Sequence, residues 1–360
     1  MHYKNYNDAV VDIWRHSNNA ALDTSQQKEQ SNMPISLKDK LYEIVRYGTL
    51  APSSHNTQCW KFRISEQDSS IHVLPDFSRS CPIVDPDNHH LFVSLGCAVE
   101  NMVLAGRALG LDSEVDASNP KANGIRIQFS PGKVDREDPF FLAIPERQSS
   151  RSEYNGEPLP KEDLELLKQA GTGNGVRVEL FTDAESIGII RDYVLQGNSV
   201  QIANKAFVTE LKEWIRFDGG DILKHKDGIY SASTGNPSLP RWLANFVFPL
   251  VFQAGPENQK CVKHIASSAG VAIFVSEQDD AVHWVEAGRC YERFALESTV
   301  LQVRNAMLNQ PVEEASLRPA FLKALELSGA RPDLVVRFGK GPTMPRSLRR
   351  SVDDVIIVEE

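Results

Sequence analysis

Between Ala51 and Gln58 the chain reads A-P-S-S-H-N-T-Q, an unbroken run of hydrogen-bonding side chains from Ser53 to Gln58 that leaves through Trp60. Hydroxyls and amides supply donors and acceptors, and loop N–H groups add fixed donors, so such a run can read the edge of a flat heterocycle. By composition alone it could equally be a plain polar turn. Two arginine-bearing segments lie far away in sequence, Arg147-Gln-Ser-Ser-Arg151 and Arg346-Ser-Leu-Arg-Arg350. A guanidinium fork can make paired hydrogen bonds to phosphate oxygens. Each of Arg147, Arg151, Arg349 and Arg350 could also be a solvated surface charge. The chain carries 39 Lys plus Arg against 48 Asp plus Glu, a net charge of −9, which argues against nucleic-acid or anionic-membrane partners. An anion site must therefore be built locally.

Other signatures fail. Gly171, Gly173 and Gly175 give G-x-G-x-G without the third glycine of the dinucleotide fingerprint, and they precede an expected strand rather than a helix. No P-loop, G-x-S-x-G elbow or H-E-x-x-H occurs, so phosphate-loop hydrolysis, serine-esterase chemistry and zinc proteolysis lack their motifs. Asp85, Asp87, His89 and His90 are close enough in sequence for a metal, but they sit where Asp87 or Asn88 would cap a helix. The cap is preferred and no metal is expected. Cys59, Cys81, Cys97, Cys261 and Cys290 form no C-x-x-C pair and are odd in number; they read as reduced core thiols of a cytoplasmic protein.

The loop resembles the A-P-S-x-x-N-x-Q-P-W signature of the nitroreductase-like, FMN-dependent flavoproteins, with Cys59 in place of the proline. The Arg147–Arg151 segment resembles that family's R-x-S-x-R element, and the Arg346–Arg350 segment its second basic contact. Trp284 with Ala287-Gly288-Arg289, and Gln310-Pro311-Val312-Glu313, add to the match, which spans roughly residues 36 to 358. Its nearest form is the single-chain Acg-like branch, in which two modules are fused. The resemblance implies an α+β fold and an FMN oxidoreductase that transfers hydride from NAD(P)H through flavin N5 to a small-molecule acceptor, with no catalytic side chain. The implied cofactor contacts are Pro52, Ser53, Ser54, His55, Asn56 and Gln58 in the loop, Arg147, Ser149 and Arg151 at the phosphate, Arg349 and Arg350 as the second basic contact, and Gln310 and Pro311 near N5. The second reading is a flavin-storing protein whose FMN is covered and turns over little.

The elements that must position these residues follow from periodicity. Residues 1–35 read as an N-terminal arm, with a short amphipathic helix from Asp8 to Trp14 and a polar tract from Asn18 to Asn32. A helix ending at Gly48 leads into the loop; strands are expected at Lys61–Ile64, Ile71–Leu74 and Ile125–Phe129, with a helix carrying Phe92, Leu95, Val99, Met102 and Leu109 on one face. The order then begins again with a helix over 162–170, a strand at Val176–Phe181, a helical stretch over 184–216, a strand at Val271–Ser276, a helix from Ala281 and a strand at Leu334–Phe338. Modules are thus expected at 36–140 and 141–360, with a candidate lid at 217–259, where periodicity dissolves. The longest apolar run, Trp242–Phe252, is interrupted by Asn245 and Pro249, so no membrane span is expected.

Sliding the 92–109 helix by 192 positions sets Gly96 on Gly288 and Glu100 on Glu292, which argues for tandem duplication. An offset of 123 sets Leu41 on Leu164 and Gly48 on Gly171. It places Thr24–Lys28, without arginine, opposite Arg147–Arg151, and Asn174–Phe181, without the Ser pair or Asn-x-Gln, opposite the loop. The first half keeps the heterocycle loop and the second keeps the phosphate element. A monomer acting as a pseudo-dimer, with one FMN per chain, is the expectation.

Overall fold

Alternation of apolar and polar residues makes the first strands. β1 (Trp60–Ser65) buries Trp60 and Phe62, and β2 (Ser70–Pro75) buries Ile71 and Val73 beside them. With β3 (Leu111–Asp116) and β4 (Ile125–Pro131) they form an antiparallel sheet of order β1-β2-β4-β3. Further on come β5 (Val176–Phe181), the two-residue parallel pair β6 (Ile215–Arg216) and β7 (Ile229–Tyr230), then β8 (Gly270–Ser276), β9 (Arg304–Met307) and β10 (Arg331–Gly339). The large strands of this half also pair antiparallel, in the order β5-β8-β10-β9. Counted within each sheet, both orders read first, second, fourth, third. The fold is α+β, and this computed structural model describes residues 5–15 and 35–357. The polar tract expected at Asn18–Asn32, and Thr24–Lys28 within it, lie outside the described residues.

The helices repeat the same plan. α1 (Leu37–Thr49) precedes β1 and α2 (His89–Ala108) follows β2; α3 (Lys161–Ala170) precedes β5 and α7 (Ala281–Val300) follows β8, but an insertion separates β5 from β8. That insertion holds α4 (Ala184–Ala203), α5 (Arg241–Val251) and α6 (Ala254–Ala266). The helical stretch expected over 184–216 breaks at Asn204, whose side chain caps the next helix, Lys205–Trp214. The region expected to lose periodicity is largely helical; Pro240 and the break at Phe252–Gln253 divide it into pieces too short to show a clear period.

α2 and α7 cross at the centre with near two-fold symmetry. A Cβ on Gly96 would lie 2.0 Å from the Val285 carbonyl oxygen, and one on Gly288 would lie 1.9 Å from that of Val93. Both contacts follow the 192-residue register, since 93 and 285 differ by the same amount as 96 and 288. Only glycine lets the backbones approach this closely. α2 was expected to bury one face, yet it is buried nearly all round because the first sheet and α7 cover it from both sides. It is the one described helix long and apolar enough to cross a bilayer, and here it is core.

Two extended segments cross between the halves. The Arg147–Arg151 segment reaches β9 through a parallel bridge between Ser149 and Asn305. After β10 the chain runs back to the first sheet, where Ile356 bridges Phe62. Both arginine segments are thereby carried past the loop between α1 and β1.

Candidate functional site

The loop from Leu50 to Cys59 folds as a tight, left-handed turn. His55, Asn56 and Gln58 have φ of 49°, 53° and 53°, a conformation that non-glycine residues adopt only when surroundings hold them. Those surroundings are visible. Ser53 Oγ accepts from Gln58 N at 2.9 Å, Asn56 Nδ2 donates to the carbonyls of Gly228 (3.0 Å) and Leu348 (3.2 Å), and Gln58 Nε2 donates to Lys226 O at 2.8 Å. Gln58 Oε1 accepts from Arg350 N at 2.8 Å. The loop is therefore pinned by the insertion on one side and the C-terminal segment on the other.

One cleft brings the sequence signatures together. Pro52, Ser53 and Asn56 of the loop face Arg147, Gln148, Ser149 and Arg151, with Arg346, Ser347 and Arg349 of the C-terminal segment, Ile229 and Ser233 of the insertion, and Trp14 of the N-terminal arm completing the wall. Arg147 ion-pairs through Nε with Glu292 at 3.2 Å and donates to Leu50 O at 3.2 Å. Arg349 donates to Asn56 Oδ1 at 2.9 Å and also to Leu50 O at 3.2 Å. The Trp14 ring contacts two cations, its centroid 4.8 Å from each of the Arg346 and Arg349 guanidinium carbons. Arg151 makes no ion pair or side-chain hydrogen bond with any described residue.

Burial works against all these charges. It pushes Arg349 down to about 9, with Arg147 adding to the effect, and lowers Arg151 as well. Both stay cationic at neutral pH. Burial likewise lifts Glu292 to about 7 against the opposing pull of Arg147, so the carboxylate that could neutralise these guanidiniums is itself only partly ionised. Arg349 Nε, on the cleft wall, is buried without a protein hydrogen-bond partner. An unspent donor and uncompensated positive charge fit an anionic group rich in acceptors, such as a flavin phosphate.

Several expected residues fall elsewhere. Gln58 is wholly buried and acts as a clasp. Ser54 offers its backbone N–H to Ser94 Oγ at 3.2 Å, and His55 Nδ1 lies 3.5 Å from Cys81 Sγ, so neither lines the cleft. Arg350 turns its side chain to Asp354 O at 2.7 Å because its own N–H is held by Gln58, and Arg346, from the same motif, takes the place on the wall. Gln310 and Pro311 open a short helix behind α4, where Glu313 accepts from Gln201 at 2.7 Å, and they do not line this cleft. Sequence reasoning passed over Trp14, Gln148, Ile229 and Ser233. The lone tryptophan in a polar arm was the one available signal.

The Asp85 cluster resolves toward a cap. Asp85 accepts from the N–H groups of His90 and Leu91, both at 3.0 Å, satisfying the first turn of α2; Asp87 adds a 3.3 Å bond to His89 N, while Asn88 makes no side-chain cap bond. Asp85, His89 and His90 do present ligand atoms within 4.8 Å of one another. His89 Nε2, however, is held by Asp333 at 2.9 Å, and a helix N-terminus repels a cation. The five cysteines are free thiols, four of them buried.

The pseudo-symmetric position carries no such cleft residues. α3 and β5 are joined by Gly171–Gly175, five residues, where α1 and β1 are joined by Leu50–Cys59, ten residues. The ungapped offset of 123 therefore sets the loop against what is largely strand β5, and only a five-residue link stands at that position.

No protein-family model matches the chain. Two curated proteins from Mycobacterium tuberculosis, strains H37Rv and CDC 1551 / Oshkosh, each named "Putative NAD(P)H nitroreductase", are 25% identical over 325 residues, covering 87% of this chain and 90% of the relative. Among solved structures, a "putative nitroreductase" from Anabaena variabilis covers 92% of this chain and 99% of its own at 9% identity and a TM-score of 0.42. The FMN-dependent nitroreductase NfnB from Mycobacterium smegmatis, solved with NADPH, covers 63% of this chain and 100% of its own at 13% identity and a TM-score of 0.42. The chain is thus a relative of proteins named as NAD(P)H nitroreductases, as its loop and arginine signatures imply.

Proposed function

We propose that the chain is an FMN-dependent NAD(P)H oxidoreductase of nitroreductase type, built from two fused modules as in the Acg-like branch, and that it binds one FMN in the cleft between them. The observation that carries this reading is the convergence of Ser53, Arg147, Ser149, Arg151 and Arg349 on a single cleft, with positive charge in excess of carboxylate. Bound there, the flavin supplies the redox chemistry, accepting hydride from a nicotinamide and passing electrons on. The protein's share is binding and electrostatics. Arg147, Ser149, Arg151 and Arg349 would hold the phosphate, Arg346 would stiffen that wall through Trp14, and the N–H and hydroxyl of Ser53 would meet the heterocycle. A cationic wall also favours the anionic, reduced cofactor.

The module boundaries, 36–140 and 141–360, are supported by the repeated strand order and by the reciprocal glycine contacts of α2 and α7. The composite site follows from their asymmetry, so a monomer suffices. Titrating the purified chain with FMN, followed by flavin fluorescence, tests the reading: saturation at one flavin per chain is expected, and two per chain or none would overturn it.

One observation favours the storage reading. The insertion lies across the loop, with Lys226 and Gly228 carbonyls bonded to Gln58 and Asn56 and Asp227 gripped by Arg79 and Arg216. Such a cover would keep reductant out. Anaerobic addition of NADH or NADPH separates the two readings, since bleaching of the oxidised flavin band requires an accessible cofactor.

A further inference from the structure

Beyond Arg151 the molecule holds a second cavity, of about 420 Å³, within the ~300–1,000 Å³ range of small-molecule sites. Arg151 lines both it and the cleft, so the two spaces share a wall. The opposite wall is one face of α6, which presents Lys260, Lys263 and His264 at helical spacing. Glu153, exposed, is the only carboxylate among the lining residues. Lys260 Nζ finds only neutral acceptors, Thr234 O and Asn236 Oδ1, each at 3.3 Å.

Arg337 backs the cavity and deepens the imbalance. It is 1% exposed and donates only to carbonyls, those of His264 (3.3 Å), Ser150 (3.3 Å) and Ser152 (2.8 Å), with its guanidinium 4.1 Å from the Tyr154 ring centroid. Burial and the neighbouring Arg337 push His264 down to about 4, so at neutral pH its ring serves as a neutral hydrogen-bonding group. In a chain of net charge −9, three lining cations, Arg151, Lys260 and Lys263, with Arg337 buried behind them and one exposed carboxylate opposite, form a local positive field that an anion would relieve. The flavin phosphate does not account for Lys260, Lys263 and Arg337, because Arg147, Ser149, Arg151 and Arg349 provide for it in the cleft.

We propose that this cavity is a second anion site that takes the ribose 2′-phosphate of NADPH, and that Lys260 and Lys263 thereby select NADPH over NADH. Ammonium groups on flexible stems suit a compact phosphomonoester dianion, and each is a point charge that needs no fixed plane. The identity of the ligand rests on the reductase reading above; the anion site rests on the cavity alone.

The test is calorimetric titration of the FMN-loaded full chain with adenosine 2′,5′-bisphosphate and, separately, with 5′-AMP. Binding of the bisphosphate about tenfold tighter or more is expected, the scale of charge-assisted phosphate contacts. The double variant Lys260→Gln/Lys263→Gln should bring the two probes together while its FMN affinity, read by flavin fluorescence, stays at the wild-type value. Equal affinity of the two probes for the wild-type chain, or binding of neither, overturns the site, as does a preference that survives the double substitution. The same titration on flavin-free chain separates the two ideas: a 2′-phosphate preference in protein that never takes up FMN would keep the site and sink the reductase.

Discussion

At the crossing of α2 and α7, Glu100 and Glu292 stand 192 residues apart in equivalent places, yet their guanidinium partners differ in origin. Glu100 is met by Arg289 (2.9 Å) and Arg293 (3.1 Å), both from the facing helix, and Glu286 approaches the same two arginines at 3.4 Å. Two cations there face two carboxylates. Arg293 also reaches Ala170 O at 3.2 Å, across the five-residue link that replaces the loop. Around Glu292 the arginines come from distant segments, Arg147 and Arg349, which meet Leu50 O at the corresponding helix end. Arg151 stands beyond them with no counter-charge. The Glu100 end of the crossing thus closes its charges into ion pairs as structure, and the Glu292 end leaves them open toward a cleft.

The largest effect tests whether the halves are equivalent at all. Ala in place of Gly96 or of Gly288 drives a methyl into a backbone oxygen, which no side-chain rotation can relieve, so each should cost about 3 kcal/mol or more. The two losses should match closely, because the contacts are reciprocal. Chemical denaturation of both variants checks this; a large effect at one glycine and a small one at the other would break the pseudo-symmetry.

Next in size is the contrast between arginines. Arg151→Ala removes no native ion pair, so it should leave the thermal midpoint of the flavin-free chain almost unchanged while weakening FMN binding about 100-fold, in line with losing charge-assisted bonds to a phosphate. Arg293→Ala should do the reverse. It strips Glu100 and Glu286 of a shared partner, for a loss of roughly 1–2 kcal/mol in stability, with no change in FMN affinity. Fluorescence titration paired with thermal melts reads both quantities. An Arg151 variant that melts early but binds normally would show that both ends use arginine structurally.

Much of this arrangement was legible beforehand because its signals were local. Alternating apolar residues gave β1, β2 and β5, and a continuous apolar run gave β8, to within a residue or two, and the Gly96/Gly288 and Glu100/Glu292 pairs gave the register that the helix crossing obeys. What escaped was set by tertiary contact. β9 has only four residues and depends on β10 for its pairing, and β3 turns Asp112, Glu114 and Asp116 outward at the sheet's edge. Within the site, the sequence named the loop and both basic segments, but side-chain direction was decided at long range. Gln58 turned inward because Lys226 O and Arg350 N awaited it, and Arg350 turned outward for the same reason.

The smallest effect reads the charge state of the open end directly. Glu292 is held near 7 in the folded chain, chiefly by burial, against an ordinary value of 4.5. Below the ordinary value the carboxyl is protonated in both states and contributes nothing to pH dependence. As pH rises toward 7 the unfolded chain loses its proton first, so the unfolded state gains and stability falls; above the folded value the loss is complete. Asp333, also lifted to about 7 by burial, titrates in the same window, so only the difference between wild type and Glu292→Gln isolates the group. That variant keeps the volume and removes the titration, and its denaturation midpoint should decline less steeply than wild type between pH 5 and 7. Parallel curves would mean that Arg147 keeps Glu292 ionised throughout, the open end would then be one positive charge poorer, and the case for an anion in the cleft would rest on Arg151 and Arg349 alone.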